Sequence, residues 1–313
     1  MPANQTEAKI DDEVNYIKTH TAAQLEQLRN KLRLQGCLFN YPTLFIRTCG
    51  IWLHDHDGTH IKIDAKKVQN STIKLTIHGH NPLHLAHHCI SSFDKPLSQL
   101  TLVQRHAIAT FKTLTNDALQ AWDARTGSTV SYMRTLIYLL QIIFFLGPQP
   151  VTIAFRWAPD LGPAGSCDTD PNDPSHLLIT MDPLPSPRLF NKPCPALKFD
   201  RLNTLIHELV HALFEAYACA SRPCKRRYLG KGGHLLAWQL VAKKVDERGS
   251  EFLGFGVATD RLEGFVGDME NKGARWPGRG DVKKYGFGLE DPMTRGEGGE
   301  RLRGLVEVIN RSS

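Results

Sequence analysis

The chain lacks the paired cysteines of a disulfide scaffold or a zinc ribbon. It has seven cysteines among 313 residues, an odd number, and no C-x-x-C sequence occurs. Cys219 and Cys224 form the only close pair. Small secreted domains and Cys-based zinc modules both depend on regular cysteine pairs. The sequence therefore predicts free thiols in a reducing compartment.

Long apolar segments are also absent. The most apolar run extends from Met133 to Leu146 and contains Arg134 and Gln141, whereas a membrane-spanning helix needs about 20 mainly apolar residues. The first residues show no basic stretch followed by an apolar stretch, which a secretory signal would require. We expect an intracellular protein, nuclear or cytoplasmic, that is not secreted and does not contact a membrane.

Two common catalytic motifs are missing as well. Neither the serine-hydrolase motif G-x-S-x-G nor the phosphate-binding motif G-x-x-x-x-G-K-[ST] occurs. The net charge is +6, from 38 Lys and Arg against 32 Asp and Glu, which permits contact with nucleic acid without requiring it. Hydrophobic residues make up 41% of the chain, enough for a sizeable core, so a disordered chain is excluded.

Periodicity and turn residues divide the chain into predicted elements. A helix is predicted from Thr21 to Leu34, short strands between Tyr41 and His78, and connecting segments over residues 79–98. Two helices follow, at about Leu100–Trp122 and Met133–Leu146. Two strands come next, at Val151–Trp157 and His176–Met181, separated by a loop over residues 159–175. Two further helices are predicted at about Asp200–Ala220 and His234–Arg248.

The strongest chemical signal is the sequence His207-Glu208-Leu209-Val210-His211, an H-E-x-x-H motif. Residues four apart lie on the same face of a helix, so His207 and His211 could bind one Zn2+, with Glu208 placed to accept a proton from a metal-bound water. The segment is amphipathic, with apolar positions at helical intervals: Leu202, Leu205, Ile206, Leu209, Leu213 and Ala216. The alternative is an ordinary amphipathic helix with two surface histidines.

A catalytic zinc site needs a third protein ligand and one open position. The metzincin extension of the motif would place Gly at 214 and His at 217, but the chain has Phe214 and Tyr217, so that class is excluded. His234 is the only histidine after the helix, and the glycines before it allow a close approach of the backbone to a metal. We favour His234, and Glu247 or Glu251 remains the alternative.

Residues 151–248 resemble the SprT-like metalloprotease domain of the Spartan proteases. The resemblance rests on the strands VTIAFRW and HLLITM, the helix TLIHELVHALFEAY and the segment GKGGHLLAW. It implies that Glu208 is the general base and that Trp238 is the aromatic residue after the third ligand. The metal ligands it implies are His207, His211 and His234.

The resemblance also implies an α+β fold, in which a zincin-like metalloprotease domain packs a small mixed sheet on the H-E-x-x-H helix after an N-terminal α/β extension. Four regions are expected along the chain. They are an N-terminal helical segment (1–36), a small β-rich region (37–98), the SprT-like domain (99–249) and a Gly/Arg-rich, partly flexible tail (250–313).

Several basic residues could bring the protein to nucleic acid. A basic loop between the second and third ligands could attract DNA phosphates: Lys225, Arg226, Arg227 and Lys231. The tail holds side chains suited to single-stranded nucleic acid: Arg275, Trp276, Arg279, Tyr285 and Arg303. The alternatives are a solvated loop and a plain flexible tail.

Other histidines and acids are weaker signals. Eight histidines lie between residues 54 and 88, and His54-Asp55-His56-Asp57 resembles a metal-binding run, but we favour structural or solvent-exposed roles because composition alone is a weak indicator of metal. Glu215, four residues after His211, either supports a ligand ring or is an exposed helix residue.

These observations together predict a zinc-dependent endopeptidase with Glu208 as its general base, acting on protein substrates. Analogy with the Spartan proteases extends the substrates to proteins on or crosslinked to DNA. The alternative is a non-catalytic zinc-binding module for chromatin or protein interaction. The sequence does not indicate the oligomeric state.

Overall fold

The computed structural model describes residues 75–117, 128–147, 151–159, 161, 164–170, 172–183, 194–271 and 285. Within these ranges the chain contains seven α-helices and one three-stranded sheet, which confirms the mixed α+β class. No helix of the described ranges combines the length and the apolar character needed to cross a membrane. The predicted helix Thr21–Leu34, the histidine run at 54–57 and the tail residues Arg275, Trp276, Arg279 and Arg303 lie outside the described residues.

Three helices precede the sheet: α1 (Pro82–Phe93), α2 (Leu102–Asp117) and α3 (Val130–Phe144), with a 3-10 turn at Leu97–Gln99. The last two confirm predicted helices, but the expectation of connecting segments over residues 79–98 is wrong. Asn81 caps α1, since its side-chain oxygen accepts hydrogen bonds from the backbone N–H groups of Leu83 and His84 at 2.9 and 3.3 Å. The described end of the predicted strand at residues 72–78 is a turn.

The sheet contains β1 (Thr152–Trp157), β2 (Gly165–Asp170) and β3 (Asp173–Met181), in the order β1-β3-β2. Strand β1 pairs with β3 in parallel, and β2 pairs with β3 antiparallel. Strands β1 and β3 were predicted, whereas the prediction of a loop throughout residues 159–175 is wrong. The sequence of β2, GSCDTD, has no apolar alternation, so only its pairing with β3 makes it a strand.

Four helices complete the described chain: α4 (Cys194–Tyr217), α5 (Arg222–Tyr228), α6 (Leu236–Leu253) and α7 (Arg261–Asn271). Helix α4 begins at Cys194, so the predicted start of this helix at about Asp200 is six residues too late. Its apolar face is buried against the sheet and α6. The resulting core includes Leu205, Ile206, Leu209, Ile179 and Val241, and α4 thereby holds the H-E-x-x-H motif rigidly beside the sheet.

Candidate metal centre

His207 and His211 are one helical turn apart on α4, as their spacing predicts. Their Nε2 atoms are 3.2 Å apart. The opposite, apolar face of the helix is buried in the core, with Leu205 and Leu209 at most 1% exposed. The two rings therefore leave the same side of a helix that packing holds in place.

His234 joins the pair from the segment just before α6. Its Nε2 atom lies 3.0 Å from that of His211 and 3.1 Å from that of His207. Among the described residues, this is the group of three side chains whose ligand atoms could hold one metal ion. Glu247 and Glu251 do not belong to it, because their carboxylates pair with Lys244 and Arg248 on the exposed side of α6.

The spacing of the three nitrogen atoms matches the requirement of a tetrahedral zinc ion. Zn–N bonds of about 2.0–2.1 Å at tetrahedral angles separate the nitrogen atoms by about 3.3 Å. The observed separations are 3.0–3.2 Å. The three histidines could therefore hold Zn2+ with small movements of their rings.

The hydrogen bonds of the Nδ1 atoms determine which ring nitrogen of His207 and of His234 carries the lone pair. His207 Nδ1 lies 2.8 Å from the carbonyl oxygen of Thr259, and a carbonyl only accepts, so Nδ1 carries the proton. His234 Nδ1 lies 3.2 Å from Oδ1 of Asp268, which assigns its proton in the same way. Both Nε2 atoms then direct lone pairs towards the common centre, an arrangement that a cation stabilises.

Burial keeps His207 neutral over the physiological range. Desolvation lowers the pKa of His207 to about 3, with His234 lowering it further and the Thr259 carbonyl opposing the shift. A histidine must be neutral to bind a metal ion. The His207 ring could therefore bind a cation near neutral pH without first releasing a proton.

Trp238 packs against all three rings. Its ring centroid lies 4.8, 5.5 and 4.9 Å from those of His207, His211 and His234, and the side chain is 0% exposed. The resemblance implies an aromatic residue at this position, and the structure places Trp238 beneath the histidine cluster. The indole limits the directions in which the rings can turn.

Two glycines allow the third histidine to approach. Gly233 has a φ of +91°, and a Cβ there would lie 2.9 Å from the ring of His211. A Cβ at Gly264 on α7 would lie 2.5 Å from Cδ2 of His234. Any larger residue would therefore displace a ring, which is why glycine is required on both sides of His234.

Glu208 lies beside the cluster in a buried position. It is 5% exposed, and desolvation, with a smaller contribution from Asp168, raises its pKa to about 8. Strand β2 passes directly over it, since a Cβ at Gly165 would lie 2.8 Å from Glu208 Oε1 and 3.0 Å from Thr204 Cγ2. A buried carboxyl with a raised pKa is typical of a group that exchanges protons during a reaction.

Sequence reasoning missed four residues of this centre: Gly165, Asp246, Thr259 and Asp268. Asp246 Oδ1 accepts hydrogen bonds from the backbone N–H and the hydroxyl of Thr259 at 3.0 and 2.9 Å, and so fixes the carbonyl that meets His207. These residues follow no motif and are distant in sequence from the histidines. Asp268 lies on α7, whose buried apolar residues recur at helical intervals, and this periodicity is the signal that the sequence offers for it.

Other predicted features have structural partners. Glu215 forms an ion pair with Lys225, with the Nζ–Oε1 distance at 2.6 Å, rather than meeting His211. Tyr285 is 3% exposed and packs on Phe265, so its ring is part of the protein interior. Cys89, Cys167 and Cys219 are free thiols, as the sequence predicts.

The basic loop is partly solvent-facing. Arg226, Arg227 and Lys231 are exposed, as is Arg222 at the start of α5. The guanidinium of Arg227 lies 5.5 Å from the ring of Tyr228. These exposed arginine and lysine side chains form a cationic surface, and they lie between His211 and His234 in the sequence.

Compared with protein-family models, curated proteins and solved structures, the chain matches none of them. The function of the centre therefore has to be argued from its own geometry.

Proposed function

We propose that the protein is a zinc-dependent endopeptidase of the SprT-like type, with a zincin-like fold. The observation that carries this proposal is the convergence of three histidine Nε2 atoms at 3.0–3.2 Å beside the buried carboxyl of Glu208. Three protein ligands with an open fourth position are typical of catalytic zinc, whereas structural zinc has four. His207, His211 and His234 are the proposed ligands.

Zinc held there would act as a Lewis acid and supply a hydroxide-like water at neutral pH. Glu208 has the position and the environment of the general base. It accepts a proton from the attacking water at a carboxylate oxygen and then donates that proton to the leaving amine. A neighbouring divalent cation lowers the pKa of a carboxyl group, so Glu208 is ionised, and competent as a base, in the metal-loaded protein.

The position of β2 favours a polypeptide substrate. Its Gly165 end lies over Glu208, and β2 is an edge of the sheet as far as the described residues extend. An extended peptide can add to such an edge through main-chain hydrogen bonds. A peptide bound in this way would have its backbone beside the carboxyl group whatever its side chains, which supports an endopeptidase.

The cationic surface favours substrates near nucleic acid. Arg222, Arg226, Arg227 and Lys231 are exposed on and after α5, and such side chains bind phosphates in a salt-dependent manner. Proteins on or crosslinked to DNA are therefore the substrate class we propose.

The test compares the wild-type protein with Glu208→Gln. We expect about one zinc per chain in both, and cleavage of an unfolded protein only by the wild type, with a loss of at least about 100-fold in the variant. Glu215→Gln, which makes the same change on the same helix, is the control and retains activity. Zinc binding with no cleavage by the wild type would favour the non-catalytic interaction module, and absence of zinc would refute both.

A further inference from the structure

Asp268 on α7 contacts the third histidine twice. Its Oδ1 atom is 3.2 Å from His234 Nδ1, and its Oδ2 atom accepts a hydrogen bond from the backbone N–H of His234 at 3.1 Å. The two oxygen atoms thus hold the ring and the main chain of the same residue. A single carboxylate in this position fixes both where His234 lies and which way its ring points.

The glycine-rich segment closes around this carboxylate. A Cβ at Gly232 would lie 1.6 Å from Asp268 Oδ1, and one at Gly230 would lie 3.3 Å from Oδ2. Asp268 is 2% exposed. A buried carboxylate is costly unless its oxygen atoms accept hydrogen bonds, and the described donors to it are the ring and the backbone of His234.

From this geometry we infer that Asp268 is the positioning residue for the third metal ligand. The inference rests on the proposed function, because it assigns a role towards the ion that the three histidines would hold. Asp268 keeps the proton of His234 on Nδ1, which leaves the Nε2 lone pair available. It also makes α7, which follows α6 in the chain, part of the metal centre.

The isosteric variant Asp268→Asn separates this role from packing. An amide has one accepting oxygen atom, whereas His234 presents two N–H groups, so one of them must face the amide NH2. The His234 ring then either loses its hydrogen bond to residue 268 or changes tautomer, while the side chain at position 268 keeps its volume. A purely structural role would tolerate this change better than the metal centre does.

The experiment measures zinc affinity by competition with a chelator, and the absorption spectrum of the Co2+-loaded protein, in the full chain. We expect Asp268→Asn to weaken zinc binding by about 10- to 100-fold and to change the Co2+ spectrum. Glu263→Gln, an exposed carboxylate on the same helix, leaves both unchanged. Equal affinity and identical spectra for Asp268→Asn and the wild type would overturn the assignment.

A double-mutant cycle shows whether Asp268 acts through His234. In the His234→Ala background, we expect Asp268→Asn to change zinc affinity by less than about twofold, because the residue it positions is gone. An equal loss in both backgrounds would mean a general effect on the fold and would overturn the inference. A wild-type protein that binds no zinc refutes the proposed function itself, which keeps the two failures distinct.

Discussion

Gly165 is the residue at which the sheet touches the proposed general base. Its Cβ, if present, would lie 2.8 Å from Glu208 Oε1, so Gly165→Ala must displace the carboxyl group or the strand. We expect cleavage to fall by about 10-fold or more, since small displacements of reacting groups are costly. Zinc content should not change, because the three atoms nearest to the added Cβ belong to Glu208 and Thr204 and not to the histidines. Steady-state kinetics and metal analysis of the same preparation measure the two quantities.

Gly256→Ala is the matched control for this substitution. A Cβ at Gly256 would meet no atom within 4 Å, so wild-type kinetics are expected. Full activity in Gly165→Ala would show that Glu208 tolerates displacement, which contradicts its role as a positioned base.

The residues of the centre differ in how far the sequence could predict them. His207, Glu208 and His211 could be predicted from a single turn of helix, because the spacing of four residues alone places His207 and His211 on one face. His234 needed a long-range argument from the glycines before it. Asp268 and Thr259 could not be predicted, since their roles depend on how α7 and the segment after α6 fold back on the ligands.

Helix α1 depends on its capping residue. Asn81 accepts two backbone hydrogen bonds at the helix start and is 4% exposed. We expect Asn81→Ala to reduce the free energy of unfolding by about 1 kcal/mol, whereas Asn81→Asp, which keeps the accepting oxygen atom, stays within about 0.5 kcal/mol of the wild type. Urea unfolding of the three proteins measures this, and equal loss in both variants would show that the cap contributes little.

The elements that the sequence failed to predict share a physical cause. Asn81-Pro82 is as typical of a turn as of a helix start, and only the packing of α1 against α6 decides between them. Strand β2 is polar because it lies at the edge of the sheet, so its hydrogen bonds to β3, not its side chains, define it. In contrast, α3 and β1 bury apolar side chains, and their apolar sequences predicted both elements.

The stability of the folded chain should decline in acid because of two buried histidines. Desolvation, followed by neighbouring histidines, lowers the pKa of His80 and of His88 to about 4 from an ordinary value of 6.5. Between about pH 6.5 and about pH 4 only the unfolded chain binds these protons, so their contribution to stability is present above this window and is lost as the pH falls through it. Each of the two histidines lowers the free energy of unfolding by up to about 1.4 kcal/mol for every unit by which the pH falls within this window.

The variant His80→Gln tests this dependence, because it removes one titrating group. We expect the free energy of unfolding to decline less steeply with falling pH, with the slope reduced by up to about 1.4 kcal/mol per pH unit. Urea unfolding at about pH 7, 6 and 5 gives the slopes. An unchanged slope would show that His80 does not stay neutral in the folded protein.

The contact of Trp238 with all three histidine rings bears on how the protein would acquire the zinc ion that we propose. A zinc finger orders its ligands only when the metal arrives, so its folding and its loading are one event. Here the indole already packs against the rings, so little conformational entropy would be lost if they bound the proposed zinc ion. Metal loading would then be a late, separate step that follows folding.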